Sequence, residues 1–334
     1  MVGLLFVALL LFWLIGNFIV DPAEFMNVFF IGLTNGSVYG LVALGYTLVY
    51  GILQLINFAH GDVFALSGLV AFSVLTAFGV TAEMALLPTL LLLLACLLIT
   101  MPLFAAGNAL IELVAYRRLR NSPRLAPLIT AIGMSFIVQN VGLAVYGVEF
   151  YGKTDLLPRS NVFDAGGVAL QWNKLIVLLL VAPLLVVLTW FVRNTRQGKG
   201  MRATSQDREA AAMMGINVNR TISVTFALAG ALAAAAALLF LLQFNMRYDT
   251  GFQLGLIAFT AAVLGGIGNL SGAVLGAILI GLIESFNEGL RWAHPLDSLG
   301  SPSDWTRAVI FGILIAILVF RPEGLLGERT PEGA

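Results

Sequence analysis

Long apolar runs separated by short polar stretches organise this chain. About 20 apolar residues in a helix cross the ~30 Å hydrocarbon layer of a bilayer. Runs of that kind fall at 3–20, 27–51, 62–79, 85–112, 126–147, 173–192, 220–243, 252–267, 270–289 and 306–320. The pattern predicts about ten membrane-spanning helices. The run at 252–267 is short and leads into Gly265-Gly266-Ile267-Gly268-Asn269, so it reads either as a full crossing or as half of a broken helix. Pro88 and Pro102 in the fourth run and Pro183 in the sixth predict kinks, because proline removes a backbone donor without ending a lipid-embedded helix. The expected fold class is all-α: a polytopic transmembrane helix bundle forming one unit over residues 1–330.

Composition supports a lipid solvent. Hydrophobic residues make up 59% of the 334, and charged residues only 11%, against ~25% in an ordinary soluble domain. Such a chain cannot clothe a soluble core. Eighteen basic residues balance eighteen acidic ones, so no basic surplus points to nucleic acid. Cys96 is the one cysteine; it cannot form an internal disulfide and reads as a small buried hydrophobe. The first run has no basic residue before it, and the first in the chain is Arg117. It is therefore expected to be a retained span rather than a cleaved signal.

The basic residues set an orientation. Arg117, Arg118, Arg120 and Arg124 follow the fourth run. Arg193, Arg196, Lys199, Arg202, Arg208 and Arg220 follow the sixth, and Arg321 and Arg329 lie in the tail. These twelve face one side, against six on the other: Lys153, Arg159, Lys174, Arg247, Arg291 and Arg307. With ten crossings, the twelve and both termini lie in the cytoplasm. Trp172, Trp190, Trp292 and Trp305 fall near run ends, where an amphipathic ring favours the headgroup level. The largest external loop, 148–172, is punctuated by Gly152, Pro158, Gly166 and Gly167 and is too small to be a domain.

Few polar residues interrupt the apolar runs, and each needs a reason. Asn57, His60 and Asp62 cluster at the junction of the second and third runs, either as a polar hairpin or as part of an inner gate. Gln139 and Asn140 sit late in the fifth, as interhelical hydrogen-bonding groups or pathway residues. Glu284 is a candidate for a pathway or an interhelix bond, and Glu288 one turn later is expected at the interface. Glu112 is expected to pair with Arg117 or Arg118. Gly265, Gly266 and Gly268 either let helices pack closely or form an unwound stretch lining a pathway. No histidine pair has ligand spacing, His294 being far from His60, so no metal site is expected. No Gly-x-Ser-x-Gly, His-Glu-x-x-His or paired-Asp signature marks an enzyme.

The stretch 193–220 is the most polar in the chain. Ser205 suits a helix N-cap, Asp207 and Glu209 suit the first turn, and Ala210, Ala211, Ala212, Met213 and Met214 favour a helix that Gly215 stops. This predicts a helix of two to three turns over 205–215, either a solvated connector or a docking element for another protein.

Several segments resemble a known family. Glu209-Ala210-Ala211, with Gly215 four residues on, is similar to the coupling motif that binding-protein-dependent ABC permeases insert into their ATPase subunits; the later apolar-proline part of that motif is not evident. Gly45-Tyr-Thr-Leu-Val-Tyr-Gly51, Ile56-Asn-Phe-Ala-His-Gly-Asp62, Ala131-Ile-Gly-Met-Ser-Phe-Ile-Val-Gln-Asn140 and Phe259-Thr-Ala-Ala-Val-Leu-Gly-Gly-Ile-Gly-Asn269 resemble the branched-chain amino acid permease family, LivH type, over about 27–327. Asp62 departs from the glutamate frequent there, and the N-terminal run is an extension. The resemblance implies a type II ABC importer-like subunit in a bacterial or archaeal plasma membrane. Its implied partners are a second related permease subunit, two ATP-binding subunits and an extracytoplasmic solute-binding protein. It also implies coupling through Arg202, Asp207, Glu209, Ala210, Ala211 and Gly215. The chain has no Gly-x-x-x-x-Gly-Lys-Ser/Thr loop, since Gly198-Lys199-Gly200 lacks the spacing and the hydroxyl. No cofactor of its own is expected, ATP being bound by the partners. Branched-chain amino acids are the implied solutes, with urea, short amides or a stand-alone carrier as the alternatives.

Overall fold

The computed structural model describes residues 2–327 except 56, 82–83, 121, 124, 158–159, 293–300 and 322, with side chains from residue 8 onward. Arg124, Pro158, Arg159, His294 and Arg329 lie outside the described residues. Helices run in the order α1 (Val2–Val20), α2 (Pro22–Leu53), α3 (Ala59–Ala77), α4 (Leu86–Ile111) and α5 (Leu125–Tyr146). Two strands follow, β1 (Asn161–Ala165) and β2 (Val168–Gln171). The rest is helical again: α6 (Trp172–Asn194), α7 (Arg196–Gln206), α8 (Arg208–Met213), α9 (Val218–Leu241), α10 (Thr250–Gly265), α11 (Leu270–Gly289) and α12 (Pro302–Phe320). A π turn at Glu112–Tyr116 and a 3₁₀ turn at Arg117–Leu119 prolong α4.

Eight of the described helices are long and apolar enough to cross a membrane. Two further apolar stretches, Ala8–Val20 and Thr250–Gly265, are shorter. The expectation of ten crossings therefore rests on eight sufficient helices and two short ones. The chain is an integral membrane protein.

The expectation of a purely helical chain needs one correction. β1 and β2 pair antiparallel, with Phe163 opposite Leu170 and Ala165 opposite Val168. Gly166 and Gly167, at φ +62° and +84°, make the turn between them. A side chain at positive φ is strained, so the glycine pair favours a hairpin here.

Helix ends follow local chemistry. The Asp21 carboxylate accepts from the Glu24 amide at 2.9 Å, and Pro22 opens α2 where its missing N–H costs nothing. Pro88 lies in the first turn of α4, so of the two prolines in that run only Pro102 is inside the helix; Pro183 is inside α6. With 32 residues, α2 is about 48 Å long, well over the ~30 Å core. The chain then doubles back: a Cβ on Gly45 would lie 2.3 Å from His60 Nε2. Thus α3 starts level with Gly45, two turns short of the α2 end.

The core is formed by α2, α3, α9, α10 and α11. Every side chain from Ala233 to Leu242 is buried, and the small alanines let neighbouring backbones come close. One close meeting is α2 against α11. A Cβ on Gly281 would stand 2.4 Å from the Gly36 nitrogen, and one on Gly36 would stand 2.7 Å from the Ile278 Cα. Around this core, α4, α5, α6 and α12 turn Leu98, Phe136, Val186 and Phe320 outward, as helices solvated by acyl chains do. Trp13 and Asn17 of α1 both donate to the Trp292 carbonyl, which fastens the first helix to the end of α11.

Candidate functional site

A buried polar cluster joins the α2–α3 connection to α4 and α5. Asn57, His60 and Asp62 are all 0–2% exposed. Ser135 and Gln139 stand four residues apart on one face of α5, and both turn to Asp62. The Ser135 hydroxyl donates to Asp62 Oδ2, and Gln139 Nε2 donates to Oδ1 at 2.9 Å. The Tyr116 hydroxyl donates to Asn57 Oδ1 at 2.7 Å. The His60 ring lies edge-on to Tyr46, with centroids 4.8 Å apart. It occupies a slot that exists because Gly45 has no side chain.

This placement refines the sequence expectation. Asn57 lies in the α2–α3 connection and His60 and Asp62 in the first turn of α3, and Asp62 reaches the middle of α5 rather than staying at a junction. Adjacent residues Gln139 and Asn140 part company: Gln139 turns inward to Asp62, whereas Asn140 is exposed and donates to the Phe136 carbonyl. Ser135 and Tyr116 had no signal of their own in the sequence. Only the helical spacing of Ser135 from Gln139 could have suggested the shared face.

Gly265, Gly266 and Gly268 form the α10–α11 turn, with Gly266 at φ +104° and Gly268 at +94°. The tail locks this turn: the Leu325 amide donates to the Leu264 carbonyl at 2.8 Å and Leu326 to Gly265 at 3.0 Å. Asn269 Nδ2 donates to the Leu326 carbonyl at 2.8 Å. A Cβ on Gly51, near the α2 end, would lie 3.9 Å from the Gly268 Cα. The turn therefore sits at one end of the bundle, not half-way along a helix.

Glu284 is half-buried on α11 beside Tyr39 of α2, and its buried Oε2 has no hydrogen-bond partner among the described residues. Glu288 is exposed and accepts from Thr306 at 3.0 Å. Glu112 is fully buried and accepts from Arg117 at 3.1 Å, from Arg120, and from Ser223 at 2.6 Å. Of the two alternatives, Arg117 is the partner and Arg118 is exposed. A π turn of five residues rotates α4 at its end, so positions 117 and 120, not 118, face Glu112.

The polar stretch 193–220 contains two helices, where the sequence predicted one. Thr195 caps α7 by accepting from Gly198 at 3.0 Å. Asp207, not Ser205, caps α8: its Oδ1 accepts from Glu209 and Ala210 at 2.8 and 3.0 Å. Ser205 is still inside α7, where its hydroxyl donates to the Arg202 carbonyl, whereas Asp207 has the extended backbone of an N-cap at φ −151°, so the carboxylate takes the capping role. Gly215 at φ +82° ends this segment. Ala211 is buried, Glu209 and Ala212 are exposed, and Met213 and Met214 are 82% and 83% exposed. Arg202 is exposed and donates to the Arg193 carbonyl at 3.1 Å. Arg208 donates to the Ile52 carbonyl at 2.8 Å, which ties α8 to the C-terminal end of α2. A cavity of about 740 Å³ opens between α7, α8 and the start of α9.

The family model described as "Branched-chain amino acid transport system / permease component" matches residues 28–318, nearly the whole of this bundle. The chain belongs to this family. The permease is 39% identical over 305 residues to the high-affinity branched-chain amino acid transport system permease protein BraD of Pseudomonas aeruginosa, with 90% of this chain and 95% of that protein covered. It is 37% identical over 316 residues to the permease protein LivH of Escherichia coli K12, with 92% and 97% covered. A more distant likeness, 26% over 170 residues, is to the permease protein LivM of the same organism, covering 48% of this chain and 36% of that one. The permease is thus a transport component and not an enzyme.

Proposed function

We propose that the permease carries branched-chain amino acids through a bacterial or archaeal plasma membrane, as one membrane subunit of an ATP-driven importer. Its relatives are named for that solute class over nearly their full length. The observation that carries the motor-driven reading is α8. It is a short helix held from below by Asp207, Arg208 and Ala211, and it offers Glu209, Met213 and Met214 outward. Flexible methionines beside a charge suit a docking surface that must follow a moving partner.

In this reading α7 and α8 face the cytoplasm and receive two ATP-binding subunits, which hold the nucleotide. Their closure pushes α8, and Arg208 hands the displacement to the α2 end. Behind that end lie His60 and Asp62, and Asp62 links α3 to α5. The exposed amide of Asn140 supports a passage along α5, because a lipid-facing amide in a spanning helix is costly. That face is assigned to the second, related permease subunit and the solute path between the two. The likeness to LivM, itself named a permease of such a system, supports a paired subunit. A solute-binding protein delivers solute at the opposite face.

The test is reconstitution of the complex co-expressed with its ATP-binding and second membrane subunits. Liposomes should accumulate radiolabelled leucine from the loaded binding protein only when ATP is available on the α8 side. Uptake without ATP, or uptake of an amide with none of leucine, would overturn the assignment.

A further inference from the structure

A second cavity, about 260 Å³, lies between three elements at the end of the bundle that carries α8. Its walls come from the α2 end (Gln54, Leu55), the connection into α5 (Arg120, Ser122) and the α7–α8 junction (Ser205, Arg208). No aspartate or glutamate is among its described lining residues, whereas two arginines are. A pocket of polar walls and unbalanced positive charge is built for an anion.

The charge count sharpens this. Glu112 is shared between Arg117 and Arg120, whereas Arg208 donates to the neutral Ile52 carbonyl and forms no ion pair among the described residues. One carboxylate thus serves two of the three guanidinium groups, and Arg208 has no share in it. Arg120 is 11% exposed at its side chain; it donates to Asn219 at 2.6 Å and to Glu112, and its Nε has no acceptor among the described residues. Burial holds Arg120 and Arg208 below the ordinary arginine range, and Arg208 also disfavours charge on Arg120. Gln54, the one non-glycine described residue at positive φ, bends the chain around the cavity at φ +54°.

We propose that this cavity binds a phosphate group, held by Arg208 and Arg120 and bridging α2, the connection into α5 and the α7–α8 junction. Guanidinium forks match the oxygens of a phosphate better than they match a point charge. The same chemistry has two sources, an anionic phospholipid headgroup and free phosphate. The wall residue Pro127 lies in the first turn of α5, next to outward-facing Leu125 and Ile129. The cavity thus borders the surface where α5 enters the lipid.

Occupancy is read as thermal stability of the full chain in nanodiscs. The reference is phosphatidylcholine alone; one arm adds phosphatidylglycerol to the bilayer, the other adds inorganic phosphate to the buffer. Binding should raise the unfolding midpoint by roughly 2 °C or more in one arm. A rise with phosphatidylglycerol only assigns a lipid phosphate, and a rise with inorganic phosphate assigns a soluble one. In either case Arg208→Gln should abolish the rise, while Arg118→Gln, outside the cavity, should keep it. Ser122→Asp, which places a carboxylate in the wall, should also abolish it and decides the matter if Arg208→Gln does not fold. No rise in either arm, or an equal rise in wild type and both cavity variants, overturns the site. A pocket reserved for an acidic side chain of a partner protein would give the former result.

Discussion

Gln139 Nε2 donates to Asp62 Oδ1 at 2.9 Å, joining the middle of α5 to the first turn of α3. The bond crosses between two helices of opposite character. α3 is largely buried, while α5 is mostly exposed. With Ser135 on the other oxygen, the Asp62 carboxylate is the point at which an outer helix is held to the core. Motion of α3 must therefore either carry α5 along or break two hydrogen bonds to a buried carboxylate.

That bond should be measurable as coupling. Asp62→Ala and Gln139→Ala, alone and combined, form a double-mutant cycle on the thermal midpoint of the purified protein. Residues in one hydrogen-bond network couple by about 0.5–3 kcal/mol, so the double variant should lose less than the two single losses together. Strict additivity would remove the link between α3 and α5.

The outward turn of Asn140 can be checked with thiol chemistry. Cys96 is the only cysteine in the chain and is buried, so the background is low. Asn140→Cys in the assembled complex should react with a small water-soluble maleimide, whereas Gln139→Cys should react much more slowly. Reaction of neither position would show Asn140 facing lipid and would remove the support it gives to a passage along α5.

Close approach of α2 and α11 sets a steric test. Gly281→Ala puts a methyl 2.4 Å from the Gly36 nitrogen, which backbone cannot yield to without the helices separating. Overpacking of this kind costs about 1–3 kcal/mol or more, and the midpoint should fall accordingly. Gly107→Ala on α4 meets nothing within 4 Å, and alanine is the better helix former by about 1 kcal/mol. That variant should be neutral or slightly stabilising, so the two should move in opposite directions.

At α8, two substitutions separate folding from coupling. Asp207→Ala removes the acceptor of two backbone amides, and loss of such a cap costs about 1 kcal/mol. Glu209→Arg leaves the cap in place and reverses an exposed charge. Under the proposed function it should leave the protein in the membrane and its partners' ATP hydrolysis running, while leucine uptake falls at least tenfold. Normal uptake by Glu209→Arg would remove this residue from the coupling surface.

Much of the spanning pattern was legible in the residues, and the failures have identifiable causes. Run boundaries such as 126–147 and 270–289 came within a residue or two of α5 and α11, because apolar length is a local property that lipid enforces directly. The β1–β2 hairpin was overlooked because strand alternation over four or five residues is weak beside the glycine turn that makes it. Ser205 and Asp207 both fit the spacing of a cap; the break between α7 and α8 falls at Asp207, whose extended backbone aims its carboxylate at the α8 amides. Glu112 had Arg117 and Arg118 as alternative partners in the sequence, and the π turn at the end of α4 brings Arg117 to it.

The family, the lipid solvent and the segment that carries Glu209 followed from the order of residues alone, since each is a matter of which side chains stand next to one another along the chain. Which of the rare polar groups meet did not. Asp62 finds Ser135 and Gln139, and Arg208 finds the α2 end, across more than seventy residues of sequence. In a bundle nearly uniform in apolar side chains, small residues such as Gly45 and Gly36 determine how closely helices approach, and that geometry selects the partners.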